Sequence, residues 1–205
     1  MADSDEKRTR ANTRERLILA SAQVFADKGV AGATVDDLVN AAGFTRGAFY
    51  SNFSTKEEVF AEALASFTHR MVEAVQHGID NQGERVSSVA AMRSILQSLR
   101  PLGRVWVLLE AEAIRIALQN DDVRRICVDM RDFLSRALIS IAAGSGLSFR
   151  GTDTTPSVEE LKQIADLLLS IYTEALIVEQ IEGADSTERL IGMLSRLFPI
   201  EKTGE

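Results

Sequence analysis

Between Thr45 and Lys56 the chain gathers Thr45, Arg46, Gly47, Tyr50, Ser51 and Lys56. These are hydroxyls, a guanidinium, an ammonium and one stretch of bare backbone. They supply hydrogen-bond donors and positive charge but no nucleophile beside a base. The chemistry open to them is non-covalent: holding an anion, or reading donors and acceptors along a flat polar edge. Covalent chemistry has little to draw on elsewhere. His69, His77 and Cys127 are the only histidines and cysteine in 205 residues. The histidines fall on or near one helix and Cys127 has no obvious partner, so no catalytic residue, metal site or cofactor is expected. A single cysteine forms no internal disulfide, which agrees with a reducing compartment.

The elements that must position this set are marked by their end residues. Thr34 precedes VDDLVNAAG. Its hydroxyl can cap a helix with Asp36 and Asp37 at the electropositive first turn and Val35, Leu38 and Val39 on its apolar side. Gly43 ends that helix, as the residue best able to take a left-handed conformation. After Phe44, Thr45 caps a second short helix, Arg46 to Asn52. Phe49 and Phe53 lie four apart and face its neighbours, while Arg46, Gly47, Tyr50 and Ser51 lie on the other side. Gly47 costs about 1 kcal/mol relative to alanine within a helix. It is useful if a sugar-phosphate chain must approach the backbone, and incidental if the helix merely docks on its neighbours. Ser54 or Thr55 then opens a long helix, with Glu57 or Glu58 at capping-box spacing. Lys56 sits in its first turn, where the dipole disfavours a cation. A bound phosphate would reverse that penalty, whereas a solvated lysine would simply bear it. This helix runs through Val59, Phe60, Ala63, Leu64, Phe67 and Met71 to about Gly78. Ahead of all three, NTRERLILASAQVFADKG reads as a helix capped by Asn12 or Thr13 and closed by Lys28-Gly29. The arrangement is a helix-turn-helix.

The net charge of -7 argues against indiscriminate binding of nucleic acid, but the distribution is uneven. Lys7 to Arg16 carries a net +4. That suits either a DNA-facing end on an acidic body or a solvated tail, and residues 1–12 read as disordered. No apolar run reaches the roughly 18 residues of a membrane span. The first residues lack the apolar core of a signal peptide, so a cytoplasmic location is expected. The three prolines, Pro101, Pro156 and Pro199, read as helix starts or ends.

GFTRGAFYSNFSTKEEVF resembles the signature of the TetR family of bacterial transcription regulators, with Gly43, Thr45, Gly47, Tyr50, Phe53 and Lys56 matching position by position. The resemblance covers about Thr13 to Phe67. It implies an all-α fold: a disordered basic arm at 1–12, a three-helix helix-turn-helix DNA-binding domain at 13–56, and a long helix leading into a helical effector-binding and dimerisation domain at 57–205. It implies that Tyr50, Lys56 and the start of the second helix at Thr34 contact phosphate. Thr45, Arg46, Gly47 and Ser51 would face base edges or the groove wall. Arg46 can read guanine bidentately or hold a phosphate, which positions without specifying. Arg10 and its basic neighbours would lie along the backbone or in the minor groove. Ser51 and Asn52 fall where the family varies and would mark operator preference. The implied function is a ligand-responsive transcriptional repressor that binds a palindromic double-stranded operator as a homodimer and is released by a small apolar or amphipathic effector. An enzyme carrying a DNA-binding module, the rival reading, lacks its nucleophile.

The remaining chain is helical. RVSSVAAMRSILQSL is amphipathic, RPLG breaks it, and RVWVLLEAEAIRIALQN is apolar nearly all round. Asp121 or Asp122 caps the next helix, GSGLSFRGTDTTPS is a loop, and Ser157 starts the penultimate helix. In the resembled family the last two helices pair across a two-fold axis, and their apolar breadth here suits a homodimer. The central helices of such regulators enclose an effector pocket. Trp106, Glu110, Arg115, Met130, Phe133 and Tyr172, with Cys127 and Glu174, are candidates to line it, against the plainer reading of core residues and a Glu110–Arg115 ion pair.

Overall fold

The computed structural model describes residues 2–80, 88–144 and 157–197, with side chains described for 11–80, 89–141 and 157–196. Among the described residues there are eight helices and no strand: α1 (Ala2–Gly32), α2 (Val35–Ala42), α3 (Arg46–Tyr50), α4 (Lys56–Asp80), α5 (Ser88–Ala117), α6 (Asp121–Gly144), α7 (Val158–Glu182) and α8 (Thr187–Leu197). None of them is long and apolar enough to cross a membrane. The all-α expectation holds.

Two compact units divide the chain. One comprises the residues up to Thr68 with Leu108–Cys127; the other comprises His69–Val107 with the described residues from Val128 on. These bounds do not coincide with the expected ones at 12/13 and 56/57. A stretch of α5 and α6 distant in sequence joins the N-terminal helices.

In the first unit α1 extends back to Ala2, so the segment expected to be disordered is helical and neither Asn12 nor Thr13 caps it. No glycine or proline occurs before Gly29, so no residue of low helix propensity stops the helix from continuing. The helix kinks at Gly29, with φ 67° and ψ 168°. Glycine adopts this backbone freely, and a Cβ there would lie 3.2 Å from Oε1 of Glu112. That carboxylate accepts the Val30 N–H at 2.7 Å, satisfying a donor next to the kink. Arg115 donates to the same carboxylate at 2.7 and 2.8 Å, and with the Val30 bond it holds the Glu112 carboxyl below the usual range against the opposing effect of burial. Leu17, Ala22, Phe25, Leu38, Phe49, Val59, Ala63 and Leu64 form the buried interior, with the rings of Phe25 and Phe60 packed edge to face at 5.5 Å.

In the second unit Leu96, Ala175, Leu190 and Ile191 make a core with Met92, Ile171 and Tyr172 against it. Pro101 does not break the chain as expected. It lies inside α5, which continues through it. The buried stripe of Leu96, Leu99, Gly103, Trp106 and Val107 runs past the proline on both sides, and its packing offsets the missing hydrogen bond. At the start of α6 the cap is Asn120, whose Oδ1 accepts the N–H of Asp122 at 2.9 Å and of Val123 at 3.2 Å. Asp121 and Asp122 stand in the first turn instead. Ser157 caps α7 as expected, in a capping box with Glu160. Of the loop expected at residues 144–157, Gly144 ends α6 and Ser157 caps α7, and 145–156 lie outside the described residues.

Candidate nucleic-acid interface

Thr34 is the N-cap of α2. Its hydroxyl accepts the Asp37 N–H, and the Asp37 carboxylate accepts the Thr34 N–H at 2.9 Å. Lys28, 2.6 Å from Asp37, is the main reason that this carboxyl titrates far below the usual range, with the Thr34 bonds adding to it. Gly43 takes φ 73° and sends its N–H back to the Asn40 carbonyl at 3.2 Å, which ends α2 and turns the chain.

Thr45 caps α3 by accepting the Ala48 N–H at 3.3 Å. With its entry and direction so set, the helix divides cleanly. Phe49 is fully buried and meets Phe53 at 5.9 Å. On the other side Thr45, Arg46, Gly47, Tyr50 and Ser51 are exposed. Tyr50 is 58% exposed even though its ring packs edge-on against Phe49 at 5.2 Å, so its hydroxyl is presented from an anchored ring. Arg46 makes one loose contact, 3.4 Å to Asp36, between two exposed side chains. Such a pair contributes little and leaves the guanidinium free to exchange partners. Gly47 has neither positive φ nor a crowded surrounding. A Cβ built on it would meet only the Thr45 hydroxyl, at 3.7 Å. Among the described residues nothing requires glycine there. Ser51 donates to the Ala48 carbonyl at 2.9 Å. Arg10 lies on α1, and its side chain is outside the part described.

Lys56 is placed differently from the expectation. Its ammonium donates to the carbonyls of Val30 at 2.8 Å and Ala33 at 2.6 Å. The cation that is unfavourable at the start of α4 therefore sits on carbonyls at and just beyond the end of α1, where a cation is favoured. Its conflict with the α4 dipole is thereby offset inside the protein. Thr55 caps α4 by accepting the Glu58 N–H at 3.1 Å, while the Glu58 carboxylate accepts the Ser54 N–H at 2.7 Å. Two residues that sequence reasoning assigned only to the basic segment, Arg14 and Arg16, also turn inward, onto the aromatic rings flanking α3.

The family described as bacterial regulatory proteins, tetR family, matches residues 17–63, from α1 into α4 and so over the whole helix-turn-helix. Over those residues this chain is similar to the TetR family. The HTH-type transcriptional regulator SrpR of Pseudomonas putida is 47% identical over 57 residues, which are 28% of this chain and 27% of that protein. The HTH-type transcriptional repressor AcnR of Corynebacterium glutamicum is 27% identical over 172 residues, 77% of this chain and 90% of that protein. The first curated relatives are matched over only 27% to 63% of their own length. Among solved structures, a TetR-family transcriptional regulator from Cytophaga hutchinsonii superposes with a TM-score of 0.70 at 22% identity, over 96% of this chain and 98% of that one. That likeness shows the fold.

The pocket candidates are scattered by comparison. In the second unit Trp106 and Met130 are buried, Phe133 is partly buried with its ring 4.6 Å from that of His69, and Tyr172 is largely buried. The Tyr172 hydroxyl has no hydrogen-bond partner among the described residues, and burial raises its pKa well above the ordinary phenol range. In the first unit Glu110 is buried and Arg115 is exposed. Arg115 pairs with Glu112 and not with Glu110 as expected, because three residues along a helix bring the guanidinium over the Glu112 carboxylate. Burial, then Glu110, pushes the Cys127 thiol upward, which disfavours a reactive thiolate. Glu174 is exposed.

Proposed function

We propose that this protein is a homodimeric, effector-responsive transcriptional repressor acting on a palindromic operator in the cytoplasm. The observation that carries the reading is the division of α3. One side is locked by Phe49 and Phe53, and the other presents Thr45, Arg46, Gly47, Tyr50 and Ser51 with no internal use for the glycine. A major groove admits such a helix, Arg46 suits a guanine edge, and Tyr50 with the α2 N-terminus at Thr34 suits phosphate. A duplex selected by the protein from a randomised library tests this in a gel-shift titration. Arg46→Ala and Tyr50→Ala are expected to weaken it; parental affinity in both variants would remove the assignment.

Dimerisation is supported by Leu167, Ile177 and Ile181 along α7 and Met193 on α8, all exposed and apolar, with Ile181 79% exposed. Leu167, Ile177 and Ile181 share one face of α7 by helical spacing, which suits a two-fold helix pair. Sedimentation of an Ile181→Asp variant is expected to give a monomer. The hydroxyl of Tyr172, unpartnered among the described residues on a ring packed against the Leu96, Ala175, Leu190 and Ile191 core, supports an apolar effector with one polar group, since a buried donor without a partner is costly until something pairs with it. Such an effector would act by preferring one arrangement of the helices and shifting the population away from the DNA-binding form.

A further inference from the structure

Two arginines of α1 hold the two ends of α3. Arg16 sets its guanidinium over the Phe44 ring, 4.8 Å from the centroid, and donates to the Ala42 carbonyl at 3.4 Å. Arg14 sets its guanidinium over the Phe53 ring at 4.1 Å and donates to the Asn52 carbonyl. Phe44 belongs to the turn that leads into α3, and Phe53 to the turn that leaves it. Arg14 also donates to Glu62 and lies 3.5 Å from Glu58, both on α4. A planar guanidinium can stack through its face while donating along its edge, and an ammonium cannot do both.

We propose that Arg14 and Arg16 are positioning residues for DNA recognition: they clamp α3 to α1 at both ends, and Arg14 fastens that clamp to α4 through Glu58 and Glu62. The proposal rests on the DNA-binding reading above. It also separates these two residues from the rest of the basic segment. Their faces lie on rings and their donors on carbonyls and carboxylates, so they act through the angle of α3 and not through phosphate. Because α4 begins at Lys56 and passes Glu58 and Glu62, a displacement of its first turns would reach the exit of α3 through one guanidinium.

The test uses the full chain and a duplex that it selects from a randomised library, with a scrambled duplex of equal length beside it, across a salt series. If the parent selects no duplex, the DNA-binding reading fails and the proposal with it. If it does, Arg14→Met is expected to weaken the selected duplex about tenfold, the size of one lost base contact, with the scrambled duplex and the salt slope unchanged. Glu62→Gln is expected to weaken the selected duplex in the same sense. The double variant is expected to be no weaker than Arg14→Met alone, because both remove one interaction. All variants are compared at a temperature where their helical signal equals the parent's. A loss on both duplexes with a slope shallower by about one unit marks a phosphate contact and overturns the proposal. Unchanged affinity overturns it too, and additive losses overturn the link to α4. Should Arg14→Met fail to fold, Arg14→Lys decides the same question. It keeps the charge without the stacking plane, so parental discrimination in that variant counts against the clamp.

Discussion

Among the described residues a Cβ on Gly47 would touch only the Thr45 hydroxyl, so no packing there calls for the glycine. Gly47→Ala is therefore expected to raise stability by up to about 1 kcal/mol in urea unfolding, while weakening binding to the selected duplex. Unchanged DNA affinity in that variant would leave the glycine without a role. Lys56 presents the reverse case. Its two carbonyl contacts join the end of α1 and the residue after it to α4, and Lys56→Met is expected to lower stability by about 1.5–3 kcal/mol, the range for hydrogen bonds to a charged group. The salt slope of DNA binding is expected to stay at the parental value. A shallower slope would return Lys56 to the phosphate contact that its position at a helix start first suggested. Both residues look costly in the sequence for the same reason, a poor fit to the helix around them. Only the geometry separates Lys56, which has carbonyl partners inside the fold, from Gly47, which has room around it.

Among the elements, α4 meets the backbone of α5 at Gly78, where a Cβ would fall 2.6 Å from the Ile95 Cα and 2.9 Å from its nitrogen. Backbone cannot swing aside, so Gly78→Ala is expected to destabilise by about 1–3 kcal/mol despite its better helix propensity. At Gly103 the corresponding clash, also 2.6 Å, is with Cδ2 at the end of the Leu176 side chain, which can rotate. Gly103→Ala is expected to be near neutral, and thermal melts of the pair test the contrast. How much of this was legible follows the range of the forces. The caps at Thr34, Thr45 and Ser157 and the turn at Gly43 act within a few residues, so the sequence displays them directly. Pro101 misled because its local penalty is outweighed by packing that a linear reading does not see. The contacts of Arg14, Arg16 and Lys56 were not legible because their partners lie between 23 and 48 positions away, with no periodicity to announce them.

On the scale of the whole molecule, Glu112 ties a part of α5 remote in sequence to the kink at Gly29 and Val30. Its carboxyl is held below the ordinary value by Arg115 first and Val30 next. A depressed carboxylate contributes stability that is fully present above its unfolded pKa of about 4.3 and is lost as pH falls through the lower folded value. Glu112→Gln is therefore expected to be less stable than the parent at neutral pH, with the gap closing as acid protonates the parent's carboxyl. Urea midpoints across that range check this, and a gap independent of pH would deny the link. The N-terminal unit is thus assembled from segments far apart in the chain, which is why its bounds escaped a reading that took domains as continuous stretches. The Lys56 contact has one more consequence, for grafting. By joining Val30 and Ala33 to the start of α4, it closes the chain between them into a loop that holds α2 and α3. Such a closed loop can be exchanged as a cartridge, residues 34 to 53, so that one protein's body carries another's reading head. The conditions for compatibility are set at the seam: the incoming piece must bring aromatic rings at both flanks of its second helix, because the arginines that receive them stay behind on α1.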